Sequence, residues 1–122
     1  MIDIMPMKTT GKGAPKVEKG AADPSRLISG KRLTKTWNHF EGEGGRLFCG
    51  IWESTPGKVK VSYDEWEFCH IISGIVVLQG EGSRKKHRFK KGDAFMIPAG
   101  FKGTWETVKK LRKHYVILGP KE

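Results

Sequence analysis

Glu67 is the residue whose position most strongly suggests chemistry. It shares one face of an alternating run with Cys69 and Ile71. If those two side chains face a core, Glu67 faces it too. Burial disfavours the charged form of a carboxylate, which suits the group to accept or release protons. The alternative is a structural carboxylate that hydrogen-bonds to Tyr63 or to a backbone amide.

Aromatic residues flank this carboxylate in the sequence and are candidates to line a pocket around it. Aromatic side chains in strands more often fill a core, but tryptophan with tyrosine also suits a flat or cationic small molecule. Tyr63 joins Glu67 as a candidate catalytic residue. The candidate ligand contacts are Trp52, Cys69, Trp105 and His114, with Trp66 nearby in the sequence.

Of the four histidines, only His114 is retained as a candidate, because it lies near the end of the last predicted strand. His70 has the opposite strand parity to Glu67 and is expected to face away from it. His39 and His87 are likewise expected to be solvated or structural. Imidazole chemistry is therefore not predicted at the centre of the site.

Basic residues are concentrated in two clusters that suggest a different function. The run Arg84–Lys91 carries six basic side chains in eight positions, including Arg84, Lys85, Lys86 and Arg88, and a second cluster consists of Lys109, Lys110, Arg112 and Lys113. The simplest interpretation is a solvated edge hairpin protected from aggregation by its lysines. The alternative is a phosphate-binding surface, whose nucleic-acid binding would be independent of base sequence and would weaken with salt.

The elements that must position these residues are short strands separated by turns. Pro56-Gly57 suits the centre of a type II turn, and further glycine-containing turns recur every eight to twelve residues. The strand-like runs are Leu47–Trp52, Val59–Tyr63, Phe68–Ile72, Ile75–Leu78, Ala94–Ile97 and Val116–Leu118. With no convincing helical period, this pattern predicts an all-β sandwich or barrel.

Composition limits the remaining classes of protein. The chain has 122 residues and a net charge of +10, which favours anionic partners. Residues 1–24 show no apolar period, so we expect a flexible basic arm there and one folded domain over residues 25–122. No run approaches the roughly 18 apolar residues of a membrane span, and we expect a cytoplasmic protein. Cys49 and Cys69 are expected to be reduced, because two unpatterned cysteines make no disulfide scaffold.

The glycine and proline spacing resembles the two motifs of a cupin domain. Glu67 lies seven residues before Gly74, as the glutamate of the family does, and Gly92, Pro98 and Gly100 fit the second motif. The chain is most similar to small cupins that resemble the cupin domain of (S)-ureidoglycine aminohydrolase. That similarity rests on Trp52–Gly57, Gly92–Gly100, Gly103–Glu106 and Arg112–Tyr115.

The resemblance implies a jelly-roll barrel, also called a double-stranded β-helix, and a homodimer, since small cupins often pair through sheet edges. Typical cupins bind a divalent metal through histidines and one carboxylate. Here three of the four usual ligand positions are Val61, Tyr63 and Gly103. Only Glu67 remains as a metal ligand, in an atypical site if a metal is bound. Gly103 either enlarges the cavity or lets it collapse.

The sequence therefore predicts a small cupin that binds a small polar or anionic metabolite inside the barrel. If the protein is an enzyme, the expected chemistry is metal-assisted or acid–base, of aminohydrolase or isomerase type, with Glu67 as the acid or base. The alternative function is a non-enzymatic module, either a ligand sensor or a nucleic-acid-binding protein that uses its basic surface.

Overall fold

A computed structural model describes residues 2–120, and nine strands account for most of them. The strands are β1 Glu18–Ala21, β2 Leu27–Gly30, β3 Leu33–Gly42, β4 Leu47–Ser54, β5 Gly57–Ser62, β6 Trp66–Gly80, β7 Lys86–Lys90, β8 Ala94–Ile97 and β9 Lys102–Leu118. A single 3-10 turn, Glu43–Gly45, joins β3 to β4. The all-β prediction is confirmed. Within residues 2–120, no helix has the length and apolar character needed to cross a membrane.

Strand β9 is the centre of the sheet. Its first half pairs with β5 on one side and its second half pairs with β4 on the same side, while β6 runs along its other edge. β3 and β1 extend the sheet beyond β4, β2 extends it beyond β5, and β7 and β8 pair with the far edge of β6. All these pairings are antiparallel, and the sheet curls so that its concave face encloses the core.

Two glycines allow the long strands to approach closely where the sheet bends. Gly74 adopts a φ of +93°, and a Cβ there would lie 2.2 Å from the carbonyl oxygen of Lys110. The register of β6 against β9 shifts on both sides of this residue. A Cβ on Gly103 would lie 2.0 Å from the carbonyl oxygen of Gln79. The backbone of β6 thus fills the space into which a side chain at position 103 would project.

The concave face carries the main hydrophobic core. Its buried members are Val59, Cys69, Ile71, Val76, Leu78, Ile97, Trp105 and Leu111. Polar side chains next to this core are hydrogen-bonded, as most buried polar groups are. The Trp105 indole donates to Thr107 Oγ1 at 3.0 Å, and the Thr107 hydroxyl donates to Ser54 Oγ at 3.2 Å. This chain of hydrogen bonds fixes the orientation of the Trp105 ring.

The segment predicted to be a flexible arm contains ordered contacts. Glu18–Ala21 forms β1 and pairs with β3, so the structure corrects the prediction for these four residues. Backbone pairing needs no apolar period, which is why the sequence pattern did not reveal this strand. Further toward the N-terminus, the Lys8 amide donates a hydrogen bond to Nε2 of the His39 ring at 2.9 Å. The domain boundary at residue 24 stays a prediction.

Replacing Gly103 by alanine tests the close approach of β6 and β9. We expect Gly103→Ala to lower the free energy of unfolding by about 2 kcal/mol or more, because the new methyl group overlaps the Gln79 carbonyl. Gly80→Ala is the matched control, since Gly80 pairs with Gly103 and a Cβ there makes only ordinary contacts, the nearest at 3.7 Å. Urea unfolding measures both variants. Equal stability of the two would contradict the packing described here.

Candidate functional site

A buried ion pair lies at the centre of the concave face. Glu67 projects inward from β6 and Lys113 projects inward from β9, and the Lys113 ammonium donates a hydrogen bond to the Glu67 carboxylate. Both side chains are buried. The Cys69 thiol donates to Glu67 Oε2 at 3.1 Å, and its sulfur lies 3.5 Å from Lys113 Nζ. Three polar side chains from two adjacent strands therefore form one cluster.

Two tryptophans enclose the ammonium. Lys113 Nζ lies 4.7 Å from the ring centroid of Trp52 and 4.5 Å from that of Trp105. The two rings meet edge to face, with centroids 5.6 Å apart. A cation over an aromatic face is attracted by the ring quadrupole, and this attraction offsets part of the cost of removing the ammonium from water. The predicted residues Trp52 and Trp105 thus surround a cation supplied by the protein itself.

Burial and neighbouring charges fix the protonation states of Lys113, Cys69 and Tyr63. Burial by itself lowers the pKa of Lys113, but the charge of Glu67, with smaller contributions from Cys69 and Tyr63, raises the pKa above its ordinary value. Burial raises the pKa of Cys69 to about 12 and also raises that of Tyr63. The ammonium is therefore retained at neutral pH, and its thiol and phenol neighbours are neutral.

The partner of Glu67 differs from the one expected. The sequence suggested either a carboxylate available for proton transfer or one braced by Tyr63 or a backbone amide. The structure pairs Glu67 with Lys113 and Cys69 instead. Lys113 had been assigned to a basic surface cluster, yet its strand parity matches Leu111 and Tyr115, which are both buried. That parity was the signal that could have placed it inside.

A cavity of about 490 Å³ opens above the ion pair. Four of the predicted site residues line it, namely Trp52, Tyr63, Glu67 and Trp105. Cys69 lies behind Glu67 and is fully buried, so it contacts the site without forming its wall. On another wall the Tyr115 hydroxyl donates to Asn38 Oδ1 at 2.7 Å, and Glu18 and Glu41 also line the cavity. The interior is therefore polar and aromatic.

Arg32 also lines the cavity, although no sequence pattern had marked it as a site residue. It lies between β2 and β3 with a φ of +45°, outside any alternating run. Its guanidinium carbon is 5.2 Å from the ring centroid of Trp52. Among the described residues, its buried Nε has no hydrogen-bond partner. Burial lowers the pKa of Arg32, an effect partly offset by Tyr63 and Glu67.

The residues present do not fit a divalent metal. Val61 packs against the hydrophobic core, the space beside Gly103 is filled by backbone, and Tyr63 is a neutral phenol. Glu67 already holds an ammonium, whose charge opposes a second cation on the same carboxylate. Within residues 2–120, no cluster of three or more histidine, cysteine, aspartate or glutamate side chains has a metal-binding arrangement. These side chains therefore favour an ion-pairing role for Glu67 over metal binding.

His114 does not line the cavity. It alternates with Lys113 and Tyr115 along β9, so its side chain lies on the opposite, convex face of the sheet. There its ring stacks on that of His70, with centroids 5.4 Å apart and Nδ1 atoms 3.2 Å apart. His114 therefore lies outside the barrel cavity, and its predicted contact with a ligand stays a prediction.

The basic residues separate into different environments. Arg84, Lys85, Lys86 and Arg88 are all exposed, in β7 and the loop before it. β7 pairs with β6 alone, as expected for an edge hairpin. The second cluster does not form one surface, because Arg112 and Lys110 pair with Glu53 at 2.7 and 3.3 Å while Lys113 faces the core.

Removing the ammonium should destabilise the fold strongly. We expect Lys113→Met to lower the free energy of unfolding by about 3–5 kcal/mol, because it leaves Glu67 buried without its counter-ion. Adding Glu67→Gln removes the stranded charge, so the double variant should be more stable than the sum of the two single changes predicts. Denaturant unfolding of all four proteins measures this coupling. Strictly additive losses would contradict a direct interaction.

The stacked histidines predict a specific pH dependence. Burial lowers the pKa of His114 below 6.5, and His70 and His39 lower it further. Because the folded pKa lies below the unfolded one, the contribution to stability is complete above about pH 6.5 and is lost as the pH falls through the folded pKa. NMR titration of the imidazole protons measures this shift. In His70→Gln the pKa of His114 should rise, and an unchanged pKa would exclude the interaction.

Comparison with known proteins agrees with this fold. A protein of unknown function from Pseudomonas syringae pv. tomato is 27% identical, with a TM-score of 0.74, over 87% of this chain and 46% of that one. A DUF861 family protein from Thermotoga maritima is 35% identical, with a TM-score of 0.51, over 53% of this chain and 73% of that one. The EutQ protein of Clostridium difficile is 23% identical, with a TM-score of 0.64, over 84% and 75% respectively.

These similarities confirm the predicted jelly-roll cupin fold. This chain spans less than half the length of the Pseudomonas protein. No curated protein matches it. The model of the EutQ-like cupin domain family matches residues 41–115, which include β4, β5, β6, β7 and β8 and most of β9. On that match, and with the geometry described above, this chain belongs to the EutQ-like cupin domain family.

Proposed function

We propose that this protein binds a small anionic metabolite in its cavity and that Arg32 is the anchor for the anion. The observation that carries the proposal is the buried Nε of Arg32, which has no hydrogen-bond partner among the described residues. An unsatisfied buried donor costs about 1–3 kcal/mol, so a ligand that accepts this hydrogen bond recovers that free energy. A carboxylate matches the guanidinium because its two oxygens can accept two parallel N–H hydrogen bonds.

Among the described residues, Arg32 is the cation in the cavity that has no ion-pair partner. Two cationic side chains line the cavity, Arg32 and Lys113, together with the carboxylates of Glu18, Glu41 and Glu67. Lys113 is neutralised by Glu67, whereas Arg32 makes no ion pair with residues 2–120. Arg32 instead lies over the face of Trp52, which holds the guanidinium in place without competing for its donors. It is therefore the cation best placed to attract an anion.

The size and walls of the cavity suit a small molecule with a flat or apolar part. A volume of about 490 Å³ falls within the range of about 300–1,000 Å³ typical of ligand pockets. Trp52, Tyr63 and Trp105 supply aromatic surface beside Arg32. The protonated Tyr63 phenol offers one further hydrogen-bond donor. These groups favour a carboxylate attached to a compact body.

Catalysis of aminohydrolase or isomerase type would place further demands on this site. Glu67 and Tyr63 are the candidate acid–base residues, since both line the cavity. Proton transfer at Glu67 requires Lys113 to leave its carboxylate first, because Glu67 Oε2 already accepts hydrogen bonds from Lys113 and Cys69. We therefore propose a binding site, of the kind a ligand-sensing or ligand-presenting protein needs, as the function that these residues support best.

Replacing Arg32 tests the proposal directly. Titration calorimetry with acetate, succinate and citrate should show binding of at least one of them to the unmodified protein. Arg32→Met should weaken that binding by about tenfold or more, because the charge-assisted hydrogen bonds are lost. Arg32→Lys should weaken it less, since it keeps the charge without the fork of donors.

Arg88→Met is the matched control, because it removes the same charge from an exposed site on β7. It should bind these carboxylates as the unmodified protein does. Binding that is equally strong in Arg32→Met would remove Arg32 as the anchor. Equal losses in the Arg32→Met and Arg88→Met variants would indicate general attraction to a basic protein instead of a site.

A further inference from the structure

The cavity that contains Arg32 is also lined by carboxylates. Glu18, Glu41 and Glu67 lie in its walls beside the cations Arg32 and Lys113. Glu67 and Lys113 neutralise each other. Within the described part of the chain, Glu18 and Glu41 make no ion pair. A ligand that carried negative charge alone would therefore leave these two carboxylates without a partner.

Strand register places Glu18 in a row of side chains that leads to Arg32. Glu18 of β1 pairs with Thr36 of β3, and Thr36 pairs with Trp52 of β4. Arg32 lies over the Trp52 ring, with its guanidinium carbon 5.2 Å from the ring centroid. Neighbouring strands are about 4.8 Å apart, so Glu18 and Trp52 are separated by about 10 Å along the sheet. One small molecule can therefore reach both Arg32 and Glu18.

The charge of Glu18 extends into the cavity. Glu18 shares the concave face with Thr36, and both line the cavity. The Tyr115 hydroxyl is on the cavity wall, where it donates to Asn38 Oδ1 at 2.7 Å. Burial raises the pKa of Tyr115 to about 12, and nearby charges, including that of Glu18, contribute to the rise. A cationic group near this wall would gain from the same negative charge.

A second row of side chains supplies apolar surface to the same cavity. It runs from Glu41 of β3 through Phe48 of β4 and Ile117 of β9 to Glu67 of β6. Phe48 and Ile117 are half-buried and line the cavity, so they can contact the methylene groups of a ligand. Glu41 adds a second negative charge on the side of the cavity formed by β1 and β3. The walls thus combine one unpaired cation, apolar surface and an acidic side.

We propose that the ligand of this cavity is an ω-amino carboxylate, whose carboxylate binds Arg32 and whose ammonium binds Glu18. The inference rests on the proposed function, since it takes Arg32 as the anchor for the carboxylate. A simple carboxylate satisfies the Arg32 Nε but leaves Glu18 without a partner, and a simple amine does the reverse. A dicarboxylate places its second charge near Glu18 and Glu41, where like charges repel. A ligand that carries both charges, separated by several methylene groups, pairs with both residues.

The separation of the two charges determines which amino carboxylates fit. An α-amino acid carries its ammonium next to its carboxylate, so it cannot contact Arg32 and Glu18 at the same time. Each methylene group inserted between the charges extends the reach of the ligand across Thr36. In the series glycine, γ-aminobutyrate and ε-aminocaproate, we therefore expect the affinity to rise with chain length.

Titration calorimetry of the full chain with matched probes tests the inference. ε-Aminocaproate should bind about three- to tenfold more tightly than caproate, which has the same chain without the ammonium, because a charge-assisted hydrogen bond to Glu18 is added. Adipate, which has a second carboxylate in place of the ammonium, should bind more weakly than caproate. Because ε-aminocaproate has no net charge, general attraction to a basic protein does not account for its binding.

Glu18→Gln removes the charge that is proposed to hold the ammonium. This variant should lose the preference for ε-aminocaproate over caproate and should bind adipate more tightly than the unmodified protein does, because a like charge is gone. Glu43→Gln is the matched control, since Glu43 is also exposed but does not line the cavity. It should keep the preference of the unmodified protein.

This inference and the proposed anion site can fail separately. Equal binding of ε-aminocaproate and caproate to the unmodified protein overturns the inference, and so does a preference that Glu18→Gln leaves unchanged. In both cases the anion site stands if Arg32→Met weakens caproate binding. An equal loss of preference in Glu43→Gln also overturns the inference, by assigning the effect to general surface charge. A protein that binds none of the probes overturns both proposals.

Discussion

The buried contact between Glu67 and Lys113 determines the character of the whole interior. Two opposite charges in a low-dielectric space must remain together, since separating them exposes each to the full cost of burial. This constraint ties β6 to β9 at one point, and it orients the tryptophans that enclose the ammonium. Burial raises the pKa of Cys69 to about 12, so the thiol stays protonated and donates its hydrogen bond to Glu67. The ion pair forms part of the cavity wall.

The Lys113 ammonium changes how a ligand can be recognised inside this cupin barrel. A metal centre offers open coordination positions, and a ligand can enter them as an additional donor. A lysine already paired with a glutamate offers no such position, so recognition depends on groups further out, among which Arg32 is prominent. The charge of the interior is then independent of metal supply. Its ligand selectivity must come from hydrogen-bond geometry and aromatic contact.

The sequence predicted the fold better than it predicted the site. Glycine spacing and alternation identified β4, β5, β6, β8 and the end of β9 but not β1, β2 or β3, and parity correctly placed Glu67 inside. The same parity applied to β9 would have placed Lys113 inside and His114 outside, but the density of basic residues there suggested a surface. Arg32 was beyond prediction because it follows no periodic pattern and reaches the cavity from a turn. The close approach at Gly103 depends on the neighbouring strand, which sequence spacing alone does not reveal.

Because β9 is the central strand, the sheet cannot assemble until this last strand has been synthesised. β1, β3 and β4 form one group, β2 and β5 a second, and β6, β7 and β8 a third, and β9 is the strand that pairs with a member of each. Residues up to 118 must therefore have left the ribosome before these three groups of strands can join. Until then, three strand edges lack their native partner, and such edges are prone to pair with other chains. Long-range pairing of this kind also slows folding, so the core of this small domain closes only after β9 has joined the three groups.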